Sequence, residues 1–373
     1  MALSKILPAG QSQFAGAKNL IINGGMQVWQ RATAATAGAN NTLNTVDRWG
    51  WLLNNDGAVT SEQSTDTPTG TGYSFLLKCT TADTSLAAGQ YAGLFHNIEA
   101  QNLQSLQYGS SSAKSITLSF WVKSNKTGTY TVALYKGGNT GYIIPNEYTI
   151  SSANTWEKKT ITITPTAGST SFITASGGAF LNNNTLGFSV AFNLAFGSTL
   201  HGTNNTWSSN ASHYSTSNAV NWMDSTSNNF YLSQVQLEIG DVATPFEHED
   251  FGTTLAKCQR YFENIEFSNG SVVTVGQVYS SHTAAAAPLR FKVTKRAAPT
   301  VTLPPTGRNT GNINFLMASA GYVPTSDGSI AVNFISVDSC TLQASGYNTF
   351  GANGDASWVY MNGAATITVA AEL

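Results

Sequence analysis

Apolar and polar residues alternate along much of this chain. In "SITLSFWVKS" (115–124), Ile116, Leu118, Phe120 and Val122 fall on one face, and Ser, Thr, Trp and Lys fall on the other. "TGTYTVALYKGG" (127–138) repeats the pattern with Tyr130, Val132 and Leu134. "WEKKTITITPT" (156–166), "TLGFSVAFNLAF" (185–196) and "NNFYLSQVQLEIG" (228–240) follow, separated by Gly, Asn, Ser and Pro. A period of two between turn residues predicts antiparallel strands with one buried face. Eight or more such strands across residues 19–247 predict an all-β jelly-roll sandwich.

The pattern changes at "FGTTLAKCQRYFE" (251–263). Leu255, Cys258 and Phe262 lie at i, i+3 and i+7, a helical stripe, with Asp250 placed as N-cap and Asn264 as stop. Beyond it, "SVVTVGQVYS" (271–280), "APLRFKVTKRAAPTVTLPP" (287–305), "SIAVNFISV" (329–337), "CTLQASGY" (340–347), "SWVYMNG" (357–363) and "ATITVAAEL" (365–373) read as strands again. "KRAAP" marks a turn, because Pro299 cannot donate to a ladder. The expected organisation is an N-terminal arm (1–18), a jelly-roll domain (19–247), a linking α-helix (248–266) and a C-terminal β-sandwich or sheet domain (267–373). No repeat of a stacked β-helix is visible.

Composition agrees with short strands and tight turns. Only 10% of residues are charged against 41% hydrophobic, and 11% are aromatic, which excludes disorder. A net charge of −2 with no Lys/Arg-rich tract excludes nucleic-acid binding as the expected role. No apolar run is long enough to span a membrane, so no membrane insertion is expected, and Pro8, Gly10 and Gln11 interrupt any signal-peptide core. Cys79, Cys258 and Cys340 are odd in number and widely spaced, which predicts buried free thiols made in a reducing cytoplasm. The N-x-[ST] sequons are those expected by chance in a chain rich in Asn, Ser and Thr.

Catalytic patterns are absent. The five histidines, His96, His201, His213, His248 and His282, form no HExxH and no close pair. "GFSVA" (187–191) lacks the closing glycine of a nucleophile elbow and lies within an alternating strand. "EHED" (247–250) offers Glu247, Glu249 and Asp250, but directly before a helix, where acidic residues cap and oppose the dipole. In "AKNLIINGGMQVWQRAT" (17–33), Asn23-Gly24-Gly25 has no GK[ST] after it, so it reads as a turn or bulge in the opening strand. Leu20 and Ile22 would share a face, and Met26-Gln27-Val28-Trp29 would resume the sheet.

Six segments in order then carry a resemblance. "NLIINGGMQVWQR", "TVDRW" (45–49), "ITLSFWVKSNKTGTY" (116–130), "NTWEKKTITI" (154–163), "FYLSQVQLEIGDVATPFEHEDFGTTLAKCQRYFE" (230–263) and "RFKVTKRAAPTV" (290–301) resemble virion structural proteins of tailed bacteriophages, especially marine and cyanobacterial ones. The resemblance covers residues 19 to about 301. It implies a carbohydrate-binding-module-like jelly roll in a non-enzymatic tail-fibre or receptor-binding protein. The implied partners are other phage virion proteins and a host cell-surface glycan, with a homotrimer as the assembly. The implied location is the phage particle, assembled in the host cytoplasm. A capsid decoration or head-fibre protein, held to the shell by Met1–Lys18, is the alternative, and a polysaccharide depolymerase is a third reading.

Two sites follow as expectations. "GTNNTWSSNASHYSTSNAVNWMD" (202–224) is a long polar segment bearing Trp207, Tyr214 and Trp222, the residue types that stack on sugar faces. The competing reading packs these rings beneath their own loop. Trp29, Trp49, Trp51, Trp121 and Trp156 lie on or beside the motifs and are expected in packing. No cofactor is expected beyond the structural calcium that the resemblance implies, with Asn23, Asp47 and Glu238 as ligands and Gln27 where an acidic ligand is common. Otherwise Asn23 makes a turn and Asp47 pairs with Arg48 or caps one.

Overall fold

The computed structural model describes residues 18–37, 40–70, 72–280, 284–305, 312–317, 321–322, 329–345 and 352–373. The expected arm lies outside the described residues except for Lys18. The chain is all-β, and it divides into two compact units between Thr254 and Leu255.

The first unit contains β1 (Ala34–Thr36), β2 (Trp49–Asn54), β3 (Ala58–Ser64), β4 (Ser74–Thr81), β5 (Tyr91–Glu99), β6 (Ile116–Ser124), β7 (Gly128–Lys136), β8 (Tyr142–Ile150), β9 (Glu157–Ile163), β10 (Leu186–Phe196) and β11 (Asn229–Ile239). They form a six-stranded sheet, β1-β3-β4-β11-β6-β9, and a five-stranded sheet, β2-β5-β10-β7-β8. Every pairing in the two sheets is antiparallel. Both sheets turn one face into a shared core. Ile116, Leu118, Phe120 and Val122 enter it from β6, and Phe188, Val190, Phe192 and Leu194 enter from β10. Phe120 meets Phe192 edge-on at 5.0 Å, joining the sheets at mid-core. Trp49 and Trp51 are also buried there. Trp121 and Trp156 depart from the packing expected of them. Both are half-buried, and Trp156 sits outside the core, donating its indole N–H to Asp66 Oδ1 at 2.9 Å and meeting Tyr231 edge-on. Lys123 pairs with the same carboxylate. Burial would raise the Asp66 pKa, but hydrogen bonds from Lys123 and Trp156 hold it below its ordinary value.

The opening segment is not the strand expected. Residues 22–25 are a turn, and 26–29 carry no regular ladder. Asn23 (φ 60°) and Met26 (φ 54°) are left-handed, which interrupts a regular strand ladder. The Asn23 side chain takes over the backbone pairing. Its Oδ1 accepts the N–H groups of Gln27 (2.8 Å) and Val28 (3.1 Å), and its Nδ2 donates to the carbonyls of Val28 and Asp47, both at 3.0 Å.

The second unit begins within α1 (Phe251–Gln259). Asp250 caps it as expected, with Oδ2 accepting the Thr253 N–H at 3.1 Å. The helix is shorter than its apolar stripe suggested, because Phe262 already belongs to β12 (Phe262–Phe267). There follow β13 (Val272–Ser280), β14 (Ala284–Arg290), β15 (Thr300–Thr302), β16 (Asn312–Met317), β17 (Gly321–Tyr322), β18 (Ser329–Asn333), β19 (Ser339–Ser345), β20 (Ala356–Asn362) and β21 (Ala365–Ala370). They make a three-stranded sheet, β12-β21-β15, and a seven-stranded sheet, β17-β16-β20-β13-β14-β19-β18. Val278, Leu342 and Val359 of the larger sheet share a core with Ile367 and Val369 of the smaller. An ion pair lies at the start of this unit. Lys295 Nζ donates to Glu263 Oε2 at 2.5 Å and to the Gln259 carbonyl at 2.6 Å, and both side chains are fully buried. Burial lowers the Lys295 pKa, and the Glu263 carboxylate acts against that shift. Cys79, Cys258 and Cys340 are buried thiols that form no disulfide, as their spacing implied.

Candidate functional site

The outer face of the five-stranded sheet carries the most distinctive surface of the first unit. On β7, β8 and β10 this face presents Ala133, Ile143 and Ala191, a small apolar patch that needs cover. Residues 197–224 supply it. Ser208 and Ile143 exchange backbone hydrogen bonds of 2.8 and 3.0 Å. Ser215 pairs with Leu200 and Gly202 through the backbone, and its hydroxyl lies 3.0 Å from Thr131 Oγ1. Asn193 Nδ2 donates to the Tyr214 carbonyl at 2.6 Å. The long polar segment is therefore a fixed roof over part of the sheet.

At its edge, over β5 and β10, a pocket of about 310 Å³ opens. Three rings line it. Tyr91 stacks on Phe196 with centroids 5.7 Å apart, and Phe196 stacks on Tyr214 at 5.9 Å. The inward parity of β10 (188, 190, 192, 194) should bury Phe196 in the core. A bulge between Asn193 and Ala195 inserts one residue, so Ala195 pairs with Ala92, and Phe196 pairs with Tyr91 on the outer face. Gly93 leaves room for the ring, since a Cβ there would stand 3.3 Å from Phe196. Leu52 and Leu200 extend the apolar wall, and exposed Asn40, Asn41 and Ser212 form a polar rim. Asn41 is held by its N–H to the Trp51 carbonyl at 2.8 Å, and Asn40 Oδ1 accepts the Leu53 N–H at 3.2 Å.

Among the described residues, no Asp, Glu, Lys or Arg lines the pocket. Burial, with the Tyr135 and Tyr91 phenols nearby, pushes the Tyr214 pKa up to about 12, so the phenol is neutral and can donate. Aromatic walls beside uncharged amides and hydroxyls suit a neutral polyol that offers both C–H and O–H groups.

Of the three aromatic residues expected to meet glycan, only Tyr214 reaches this pocket. Trp207 is 1% exposed and Trp222 is fully buried. Their indole N–H groups donate to the carbonyls of Thr164 (3.0 Å) and Asn229 (3.2 Å), so each is a core residue with its polar atom satisfied. Neither presents a ring face to a ligand, and the expectation for both is corrected.

The expected calcium ligands do not fit a calcium site. Asn23 and Asp47 do come together, but through the Asn23 amide and the Asp47 backbone carbonyl. The Asp47 carboxylate accepts Arg31 Nη1 at 2.7 Å and Gln30 Nε2 at 2.7 Å. Glu238 accepts Gln236 Nε2, the Thr244 N–H and the Thr244 hydroxyl at 2.7–2.9 Å. Burial would raise its pKa, but these bonds and Lys18 hold it below the ordinary value. Each carboxylate is thus committed to protein donors, and Gln27 brings no charge. No group of three or more His, Cys, Asp or Glu suited to a metal occurs among the described residues.

Candidate catalytic groups have structural partners as well. Glu247 Oε2 accepts the Asn19 N–H at 2.7 Å, Glu249 Oε2 accepts the Thr254 hydroxyl, and Asp250 caps α1. Ser189 is mid-strand, paired on both sides. No helix among the described residues is long and apolar enough to cross a membrane.

No protein-family model matches the sequence, and no curated protein matches it. Solved structures do match. A protein of Bacteroides thetaiotaomicron assigned as a candidate sugar binder is 13% identical, with a TM-score of 0.34 over 59% of this chain and 99% of that one. A family 11 carbohydrate-binding module from Clostridium thermocellum, in complex with a β-1,3-1,4-mixed-linked tetrasaccharide, is 14% identical, with a TM-score of 0.27 over 57% and 99%. The enzymatically active domain of bacteriophage CBA120 tailspike protein 4 is 11% identical, with a TM-score of 0.29 over 60% of this chain and 21% of that one. The chain is thus similar in structure to carbohydrate-binding modules and to part of a phage tailspike.

Proposed function

We propose that the first unit binds a neutral glycan in the Tyr91–Phe196–Tyr214 pocket, and that the protein is a non-enzymatic virion component contacting glycan on the host surface. The observation that carries the binding reading is the aromatic ladder itself. A bulge turns Phe196 out of the core and onto Tyr91, beside a rim of amides that carries no charge among the described residues. Burying apolar rings outside the core forgoes their core packing, and an aromatic wall at a pocket mouth offers a ligand what a core cannot. The virion setting is supported by the ordered sequence motifs, and a homotrimer is the assembly proposed with it.

Adsorption of the purified protein to host cells tests the reading. Wild type is expected to adsorb, and soluble host envelope polysaccharide should compete. Tyr91→Ala and Tyr214→Ala should each weaken adsorption about 30-fold, the size of a single binding hot spot of roughly 2 kcal/mol. Equal adsorption by wild type and both variants would remove this pocket from the account. Labelling of purified particles should place the protein on the virion, and its absence there would end the virion proposal.

A further inference from the structure

A second pocket, of about 220 Å³, is built where the opening turn meets β11. We propose that it is a separate subsite for a single neutral sugar ring. It is lined by Gly25, Gln27, Tyr73, Gln234, Phe246 and His248.

Its walls are fixed by unusual backbone. In β11 the inward residues are Phe230 and Leu232, then Val235 and Leu237, a change of parity produced by a bulge between Ser233 and Gln236. Gln234 sits in that bulge with φ 50°, a left-handed conformation costly for a non-glycine residue. The opening turn, itself left-handed at Asn23 and Met26, docks on the bulge. The Val235 N–H donates to the Gly24 carbonyl at 2.9 Å, and a Cβ on Gly24 would stand 2.0 Å from the Val235 oxygen. Residues 246–248 are held from the other side. The Glu247 N–H donates to Gln236 Oε1 at 2.8 Å, and Phe246 meets His248 edge-on at 5.0 Å. Ser233 Oγ donates to the Tyr73 carbonyl at 3.0 Å.

This preorganised frame holds two side-chain amides that are unused. The side chains of Gln27 and Gln234 make no hydrogen bond to any described residue, although both are half-buried. An amide offers a donor and an acceptor together, which matches adjacent sugar hydroxyls. Phe246 and Tyr73 supply ring surface for the C–H face of a pyranose. Among the described residues, no acidic or basic side chain other than His248 lines the pocket, which favours a neutral ligand over an anion or a cation. Its volume lies below the range of pockets for larger ligands, so one ring is accommodated rather than a chain.

The subsite stands independently of the Tyr91–Phe196–Tyr214 pocket, and one experiment separates the two. The full chain is titrated with methyl glycosides of glucose, galactose and mannose and with N-acetylglucosamine, while the side-chain amide resonances of Gln27 and Gln234 are followed by NMR. The titration is repeated in the Tyr91→Ala, Tyr214→Ala double variant. At least one sugar should shift both amides, with the same millimolar dissociation constant in wild type and double variant. Gln27→Ala should weaken that binding about fivefold, as expected for one lost hydrogen bond. Gln234→Gly, which removes the amide and relieves the φ, should do the same without unfolding the chain. No shift at either amide with any of the four sugars overturns the subsite. Shifts confined to Asn40 and Asn41 overturn it while supporting the first pocket.

Discussion

Replacing Glu263 by Gln removes a charge from the interior of the second unit while keeping the side chain's shape. The pair it breaks is fully buried, and Lys295 Nζ has the Glu263 carboxylate at 2.5 Å and the Gln259 carbonyl at 2.6 Å as acceptors. Glu263 also receives the Lys292 N–H at 3.2 and 3.3 Å, which an amide oxygen can still accept. Glu263→Gln therefore opens no cavity, and its cost isolates an ammonium left buried without its counter-charge. Breaking one side of a buried pair costs about 3–5 kcal/mol. Hydrogen exchange of the full chain, read on peptides covering β12 and β21, should lose roughly two to four orders of magnitude of protection. The Glu263→Gln, Lys295→Met double variant should recover much of this, because it leaves no uncompensated charge. A loss below tenfold in the single variant, or a double variant as damaged as the sum of its singles, would refute the reasoning.

Other expectations follow from the first unit. Burial raises the pKa of Tyr108, Tyr130, Tyr148 and Tyr214 in the fold, whereas unfolded phenols ionise near 10. Stability is fully present below about pH 10 and should fall above it by as much as ~5 kcal/mol per pH unit, so ionisation of these four phenols, followed by NMR, should appear together with unfolding; their ionisation in a chain that stays folded would contradict this. His96 is held well below its ordinary pKa by burial and by Arg48, so it contributes stability above about pH 6.5 that is lost as pH falls, at up to ~1.4 kcal/mol per unit. Urea unfolding of His96→Gln across pH 5–7 should show a shallower slope than wild type. Trp207→Ala should cost about 3–5 kcal/mol of stability, and at temperatures where the fold persists it should bind sugar as wild type does. Gly24→Ala should destabilise by about 1–3 kcal/mol through the clash with the Val235 carbonyl, measured by chemical denaturation.

The sandwich was legible because its strands obey strict alternation. The stretch at 115–124 gives β6 with the predicted face inward, and 185–196 gives β10 with Phe188, Val190 and Phe192 in the core. What escaped the pattern lies where parity breaks. Phe196 keeps the even parity of β10 and so reads as core, and only the bulge at Asn193/Ala195 reverses it. The β11 bulge was visible in principle, since Phe230 and Leu232 give way to Val235 and Leu237. Tyr91 and Asn41 lie far from Tyr214 in sequence, and only the pairing of β2, β5 and β10 brings their segments to one pocket. Trp207 and Trp222 misled because a polar loop does not reveal which of its rings fold under it. The opening turn misled for a different reason. Leu20 and Ile22 alternate, but the Asn23 side chain outcompetes the ladder for its backbone groups.

Calorimetric titration of the full chain with neutral oligosaccharides, matched by the Tyr91→Ala, Tyr214→Ala double variant, tests the central claim most directly. The account predicts saturable binding by wild type that falls by at least about 100-fold in the double variant, whose unfolding midpoint stays near that of wild type. Binding that persists undiminished in the double variant, or no binding of any neutral oligosaccharide by wild type, would contradict it.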